Sequence, residues 1–360
     1  MKITSIRARL KNLALRKPYA IANLLCSDVE NVFLEIILEN GITGIGAANP
    51  APEVVGETPA LCLENCRSEA FERLVGRDIG DFRSIIQEMC LQFPQAPGAV
   101  AALDIALHDA YAQWKGVPVV ALYGQKITSL PTSVTIGIMD VAETLAEAEA
   151  FYGQGFRILK VKTGMDVEED IERMCKLHER FGARMTLRAD ANQGYDAPTL
   201  QRFLSATQHL NLELIEQPLP VGEEEILRAF PPGIRNMLVA DESLKSVESA
   251  RTLAQHPQPF GIFNIKLMKC GGIAGALDIA QVARPVGIDL FWGCNDESIV
   301  SITAALHAAF ACEHTRYLDL DGSFDLAEDV VQGGFVLENG CLRLAEGHGL
   351  GLCNADFADW

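Results

Sequence analysis

The 360-residue chain has no apolar run approaching the roughly eighteen residues that a membrane-spanning helix needs, so no span is expected. Its first residues, Met1-Lys2-Ile3-Thr4-Ser5, lack the charged-then-apolar layout of a signal peptide, and a cytoplasmic location is expected. Basic residues are in the minority, with 30 Lys and Arg against 48 Asp and Glu and a formal net charge of −18. Without a basic stripe there is no footprint for nucleic acid. Without a polybasic cluster there is none for an anionic membrane surface. The ten cysteines are scattered and form no paired CxxC signature. In a chain of this size they are expected to be free, buried thiols in a reducing compartment. Phosphate-binding P-loops, dinucleotide-binding glycine fingerprints, GxSxG elbows and low-complexity stretches are all missing.

What is present is ordinary globular material, 49% hydrophobic and 22% charged, enough for a large core. The first third reads as α+β. Strands are expected over residues 3–10, 32–38 and 41–48, with turn chemistry at Glu39-Asn40-Gly41. Helices are expected over 58–74, 81–91 and 99–114, the last rich in Ala and Leu and therefore buried.

From about Pro131 short β-like runs alternate with amphipathic helices. The eight runs are SVTIGI, FRILKVK, RMTLRAD, LELIEQP, NMLVADE, FGIFNIKL, GIDLFWG and TRYLDLD. In one intervening helix Val167, Ile171, Met174 and Phe181 recur at helical spacing, behind an acidic first turn of Glu168, Glu169 and Asp170. Such alternation implies parallel strands with right-handed crossovers. Eight runs with seven clear helices suit a modified TIM barrel of (β/α)7β type. The expected organisation is an α+β capping domain at 1–125, a barrel at 126–321, and a Gly-rich tail at 322–360 that returns to the capping domain.

One spacing carries the chemistry. Lys162, Asp190, Glu216, Asp241 and Lys266 each close a β-run, at intervals of 28, 26, 25 and 25 residues, and Asp319 follows 53 residues later. Each interval of about 26 is one strand–helix unit, so these side chains converge at the C-terminal mouth of a barrel, where barrel active sites lie. Three neighbouring carboxylates, Asp190, Glu216 and Asp241, repel one another unless a cation sits among them. Oxygen ligands without His or Cys favour a hard ion such as Mg²⁺, one per site. Lys160 and Lys162 project to one face of their strand, and Lys266 comes from the far side of the triad.

Two lysines facing one carbon suggest proton transfer on its opposite faces, through the enediolate of a metal-bound carboxylate. That role needs lysine pKa values lowered from ~10.4 toward ~7–8 by neighbouring cations, with Lys269 beside Lys266. Lys160 is expected to act as a fixed positive charge on the substrate carboxylate rather than as a base. Asn192 and Gln217 are expected to support the metal carboxylates through hydrogen bonds. His108, His307 and His314 read as structural. Gly271-Gly272 opens a helix and either meets an anion or allows close packing.

The segments LKVKTG (159–164), RADANQGY (188–195), IEQPLP (215–220), ADES (240–243) and NIKLMKCGGI (264–273) resemble the enolase superfamily in its muconate-lactonizing-enzyme subgroup. The resemblance extends over nearly the whole chain. At the last barrel strand Asp319 and Asp321 look like the DxD motif with which dipeptide epimerases hold a substrate's N-terminal ammonium. The resemblance therefore implies epimerisation of an L,L-dipeptide to the L,D form at its C-terminal residue.

In that family a capping loop, here about 17–30, helps set specificity. It carries no cation after Lys17, which argues against Ala-Glu. Leu24 suggests an apolar substrate side chain, whereas Asp28 and Asp296 suggest a cationic one. The expected partner is a small-molecule dipeptide, and the chain is compatible with a homo-oligomer. The alternatives are an N-acylamino-acid racemase or an o-succinylbenzoate synthase of the same subgroup, or a binding protein that keeps the barrel.

Overall fold

The computed structural model describes residues 1–21 and 24–353, and the side chains of residues 17–26 lie outside that description. The N-terminal sheet has the order β1 (Ile3–Ile21), β2 (Leu24–Leu38), β3 (Thr43–Ala48), all antiparallel. Strand β1 runs well past the expected end at residue 10. Lys11, Arg16, Lys17 and Pro18 break its apolar alternation, and a register shift between Ala14 and Tyr19 accommodates the break.

The Ala-rich helix Pro97–Lys115 lies against this sheet, buried over most of its length. The contact is close because Gly44 and Gly46 carry no side chain. A Cβ at Gly46 would stand 1.8 Å from the Ala102 carbonyl oxygen. The helix expected over 58–74 is two pieces, Pro59–Cys66 and Glu69–Glu72, broken at Arg67-Ser68.

The short strand β4 (Leu130–Pro131) leads into an eight-stranded parallel sheet. Its strands are β5 (Val134–Ile136), β6 (Ile158–Lys162), β7 (Thr186–Asp190), β8 (Ile215–Glu216), β9 (Leu238–Ala240), β10 (Ile262–Ile265), β11 (Asp289–Gly293) and β12 (Thr315–Asp319), hydrogen-bonded in chain order. A parallel bridge between Thr132 and Leu318, with the Ser133 N–H donating to the Leu318 carbonyl at 3.1 Å, joins the first and last strands and closes the barrel. Helical segments fill all seven crossovers. Among the described residues none follows β12, so the barrel is (β/α)7β.

Beneath its mouth Leu214, Val239, Ile262 and Phe291 form an apolar plug. Leu214 and Val239 stand two residues before Glu216 and Asp241, and Ile262 stands four before Lys266, so each shares its strand face with a member of the ionisable row. Arg188 lies over the Phe291 and Tyr317 rings and donates to Glu213 at 2.7 Å.

The tail forms β13 (Gln332–Gly333), β14 (Phe335–Glu338), β15 (Cys341–Leu344) and β16 (Leu352–Cys353). Strand β15 pairs with both β14 and β4. The tail also meets β1 through a Leu15–Leu326 bridge, and the Leu350 N–H donates to buried Asp109 at 2.8 Å. The nine described cysteines are all free, but only Cys62, Cys66 and Cys312 are buried. The expectation of buried thiols fails for the others because most sit at the ends or outer faces of their elements, with Cys90 and Cys353 exposed.

His307, on helix Ile299–Ala311, is buried, and its Nδ1 accepts the Val120 N–H at 3.0 Å. Burial lowers its pKa from 6.5 to about 4. Between those values the unfolded chain takes up a proton that the native protein refuses, so stability is lost as pH falls through that window. On acidification from pH 7 to pH 4 the native state should lose about 3 kcal/mol through this residue alone. Urea unfolding of the wild type and His307→Gln at both pH values should show their stability difference changing by that amount.

Candidate active site

The ionisable row assembles as a layer across the barrel mouth. Lys162 ends β6, Asp190 ends β7 and Glu216 ends β8, with Lys162 beside Asp190 and Asp190 beside Glu216 in register. Asp241 follows β9 and Lys266 follows β10. The three carboxylates are buried. The lysines differ in access: their side chains are 5% exposed at Lys160, 14% at Lys266 and 31% at Lys162. Lys162 donates to Asp190 Oδ2 at 2.7 Å and to Asn192 Oδ1 at 2.8 Å. On the far side of the triad Lys266 donates to Asp241 Oδ2 at 3.0 Å.

Each carboxylate has one oxygen held from behind. Asp190 Oδ1 accepts the Asn192 N–H at 3.1 Å, Glu216 Oε1 accepts Asn264 Nδ2 at 2.7 Å, and Asp241 Oδ1 accepts Lys269 Nζ. The second oxygens of Asp190 and Asp241 meet lysines, whereas Glu216 Oε2 is buried without a hydrogen-bond partner. Lys160 Nζ lies 3.4 Å from Asp190 and 3.5 Å from Glu216.

The backbone is strained here. Asn192, Gln193 and Gln217 have φ of 40°, 69° and 32°, immediately beyond Asp190 and Glu216. Gln217 Oε1 accepts the N–H groups of Asp241 at 3.0 Å and Ser243 at 3.1 Å, so this side chain ties Glu216's segment to Asp241's.

The electrostatics follow from burial and neighbours. Burial, reinforced by Asp190, raises Glu216 to about 8. Burial also pushes Asp190 and Asp241 upward. Lys162 and Lys160 outweigh it at Asp190, Lys266 and Lys269 outweigh it at Asp241, and both carboxyls fall below the usual range. The lowering expected of the base lysines is not found at Lys266. Burial lowers Lys269, but at Lys266 the Asp241 carboxylate overcomes burial and holds the ammonium above its ordinary value.

Among the described residues no three acidic, His or Cys groups stand ready-spaced as a metal cage. The donor set nonetheless fits a hard divalent cation. It offers three buried carboxylates, each with one oxygen secured, and a Glu216 oxygen that accepts no hydrogen bond and whose proton affinity is raised by burial and by its anionic neighbour.

The last strand forms the opposite wall. Asp319 is buried, pairs with Lys160, and accepts Ser133 Oγ at 2.6 Å. Burial raises its pKa, but Lys160 outweighs this and leaves it below the usual range. Asp321 is more accessible and accepts the Thr135 N–H at 2.8 Å. Burial and Asp319 lift it to about 7. Lys160, expected as a fixed positive charge on the substrate carboxylate, has Asp319 as its nearest anion, with Asp190 and Glu216 next.

Asp296 is half-buried in the loop after β11, beside fully buried Glu297, which accepts the Asn295 N–H at 2.8 Å. The side chain of Leu24 lies outside the described residues, as do Ala22 and Asn23. His108 donates or accepts at Tyr123 Oη at 2.6 Å within the capping layer, away from the row.

Sequence reasoning missed Asn264, Ser133, Thr135 and Glu242. Ser133 directly precedes the first barrel strand and Thr135 lies on it, but Thr135 acts through its backbone N–H, so no side-chain pattern signals the pair. Glu242 follows Asp241 directly and accepts Asn192 Nδ2 at 3.2 Å.

Residues 3–124 match the mandelate racemase / muconate lactonizing enzyme N-terminal domain, and residues 143–354 match the enolase C-terminal domain-like family. The L-Lys-D/L-Arg epimerase of Desulforapulum autotrophicum is 51% identical over 352 residues, covering 98% of this chain and 99% of that protein. A crystal structure of a dipeptide epimerase from Methylococcus capsulatus, complexed with Mg and the dipeptide L-Arg-D-Lys, is 50% identical with a TM-score of 0.95. The match covers 98% of this chain and 99% of that one. A dipeptide epimerase from Enterococcus faecalis, complexed with Mg and L-Leu-L-Tyr, is 32% identical with a TM-score of 0.91, again over 98% and 99% of the chains. The chain belongs to the mandelate racemase / muconate lactonizing enzyme family of the enolase superfamily, and within it to the dipeptide epimerases, which are isomerases.

Proposed function

We propose that this protein is a Mg²⁺-dependent epimerase of cationic dipeptides, inverting the α-carbon of the C-terminal residue. The observation that carries the reading is the opposition of Lys162 and Lys266 across three buried carboxylates. Asp190, Glu216 and Asp241 would hold the cation. When bound, it neutralises the carboxylates and draws charge from the substrate carboxylate, acidifying the α-proton.

The chain's own groups do the rest. One lysine takes the α-proton from its face of the carbon, and the other returns a proton to the opposite face. Asp319 and Asp321 hold the substrate ammonium, and Lys160, Ser133 and the Thr135 N–H fix their orientation. A cation held by Asp241 would weaken that carboxylate's upward pull on Lys266 and so leave the amine available as a base. Asn192 and Gln217 steady the metal carboxylates and Lys162.

A cationic rather than hydrophobic C-terminal side chain is favoured by Asp296 at the mouth and by the greater identity to the L-Lys-D/L-Arg epimerases. The corresponding identity to the hydrophobic dipeptide epimerase of Enterococcus faecalis is 33%. The absence of a cation between Lys17 and Glu30 is consistent with this preference.

Three outcomes are expected. Pooled L,L-dipeptides incubated with Mg²⁺-loaded protein in D₂O should gain one dalton, read by mass spectrometry. Lys- and Arg-containing dipeptides should exceed Ala-Glu by about tenfold or more, a difference of roughly 1.4 kcal/mol. Labelling only of N-acylated amino acids would transfer the function to the racemase alternative. Replacing Lys162 or Lys266 by Ala should abolish epimerisation while each variant still exchanges the α-proton of one epimer, a different one in each case. NMR of the separate L,L and L,D substrates reads this directly, and exchange of both epimers by both variants sinks the two-base assignment. Asp321→Asn should raise KM for dipeptides with a free amino terminus by about tenfold, the scale of one lost charged hydrogen bond. Equal KM values in the two proteins would remove Asp321 from the ammonium site.

A further inference from the structure

Each lysine of the proposed pair is followed by a sharp backbone turn, and each turn is pinned by a different buried carboxylate. After Lys162 the chain reverses at Gly164, with φ of 103°. A Cβ there would lie 2.3 Å from the Ala191 carbonyl oxygen, so the Lys162 segment packs backbone to backbone on the segment after Asp190. Asp170, 1% exposed on helix Val167–Phe181, clamps this packing. Its Oδ2 accepts the Gly164 N–H at 2.8 Å and the Tyr195 hydroxyl at 2.7 Å, and its Oδ1 pairs with Arg173. Tyr195 belongs to the same post-Asp190 segment as Asn192, the side chain that Lys162 donates to. Asp170 therefore fixes both the strand end bearing Lys162 and the loop bearing its partner.

After Lys266 a single turn, Leu267–Cys270, leads to Gly271 and Gly272, with φ of 80° and 101°. Here the anchor comes from the capping domain. Asp104, fully buried on helix Pro97–Lys115, accepts the N–H groups of Ile273 at 2.7 Å and Ala274 at 3.1 Å. A Cβ at Gly272 would lie 2.6 Å from its carboxyl carbon. The anion at this glycine pair is thus the protein's own. The two anchors share no hydrogen-bond partner and sit on different domains.

We propose that Asp170 and Asp104 are positioning residues for opposite faces of the substrate, Asp170 acting through Lys162 and Asp104 through Lys266. The assignment rests on the two-lysine epimerase reading. Misplacing a reacting group by about 1 Å can cost on the order of a hundredfold in rate. Loosening one anchor should therefore slow one face and spare the other, an asymmetry that general destabilisation does not produce.

The experiment measures α-deuterium wash-in separately into the L,L and L,D forms of one Lys- or Arg-containing dipeptide. It compares the Mg²⁺-loaded wild type, Asp170→Asn and Asp104→Asn, with the two lysine variants marking which epimer each base serves. Asp170→Asn should slow the epimer lost in Lys162→Ala by about tenfold or more and change the other by less than about threefold. Asp104→Asn should do the reverse. Tyr195→Phe, which removes one donor from Asp170 and no charge, carries the first arm if Asp170→Asn does not fold. Asp104→Ser, which keeps a helix-capping acceptor, carries the second. Circular dichroism and calorimetric Mg²⁺ affinity confirm that the compared variants are folded and loaded. Equal slowing of both epimers, or no slowing, overturns the assignment while leaving the epimerase reading intact. No wash-in by the wild type overturns both.

Discussion

Buried charge in balance governs this molecule. The mouth of the barrel holds Asp190, Glu216, Asp241 and Asp319 against Lys160, Lys162, Lys266 and Lys269, most of them withdrawn from water. Any one of them alone would be prohibitive to bury, and together they are tolerable only in a fixed geometric arrangement. The strands set that arrangement, and the apolar plug of Leu214, Val239, Ile262 and Phe291 seals it from below. The weakest pairing is at Glu216, whose second oxygen accepts no hydrogen bond and meets only Lys160 at 3.5 Å, and whose acidity is suppressed. Three buried carboxylates with one oxygen this loosely paired suit a divalent cation.

Much of this was legible in the sequence because barrel topology converts a linear repeat into a ring. Residues about 26 apart in the chain become neighbours at the mouth, so Lys162, Asp190, Glu216, Asp241 and Lys266 announced themselves by spacing alone. The same reasoning gave eight strands and seven crossover helices. It failed where partners come from far away and have no period. Ser133 meets Asp319 across 186 residues, and Asp104 reaches Ile273 across 169. Nothing local in SVTIGI or in the Ala-rich helix signals those contacts. It failed differently at Lys266. A row of cations suggested a lowered pKa, but the ammonium is closest to a carboxylate, and a contact at 3.0 Å outweighs more distant charges.

The capping domain is part of the catalytic architecture rather than an ornament on it. Gly44 and Gly46 let β3 press onto helix Pro97–Lys115, and that helix presents Asp104 to the barrel on its other side. On the opposite edge Asn295 Nδ2 donates to the Asn49 carbonyl at 3.0 Å and the Ser298 N–H donates to Asn31 at 3.1 Å, fastening the loop that bears Asp296 to strand β2 and to the residue that follows β3. The geometry of the mouth is therefore shared between the domains.

The seam between β5 and β12 has a temporal meaning. Ser133 and Thr135 stand at the first strand of the barrel, and the carboxylates they orient stand at the end of the last. The walls at Asp319 and Asp321 cannot exist until residues separated by just over half the chain have met, and that meeting is the step that shuts the barrel. Long-range closure of this kind comes late, because loop entropy opposes it until the intervening units have docked. A chain still emerging during synthesis can display its lysines and its three carboxylates on partly formed strands, yet the contacts that orient Asp319 and Asp321 are still missing. That wall of the mouth thus belongs only to molecules that have finished folding.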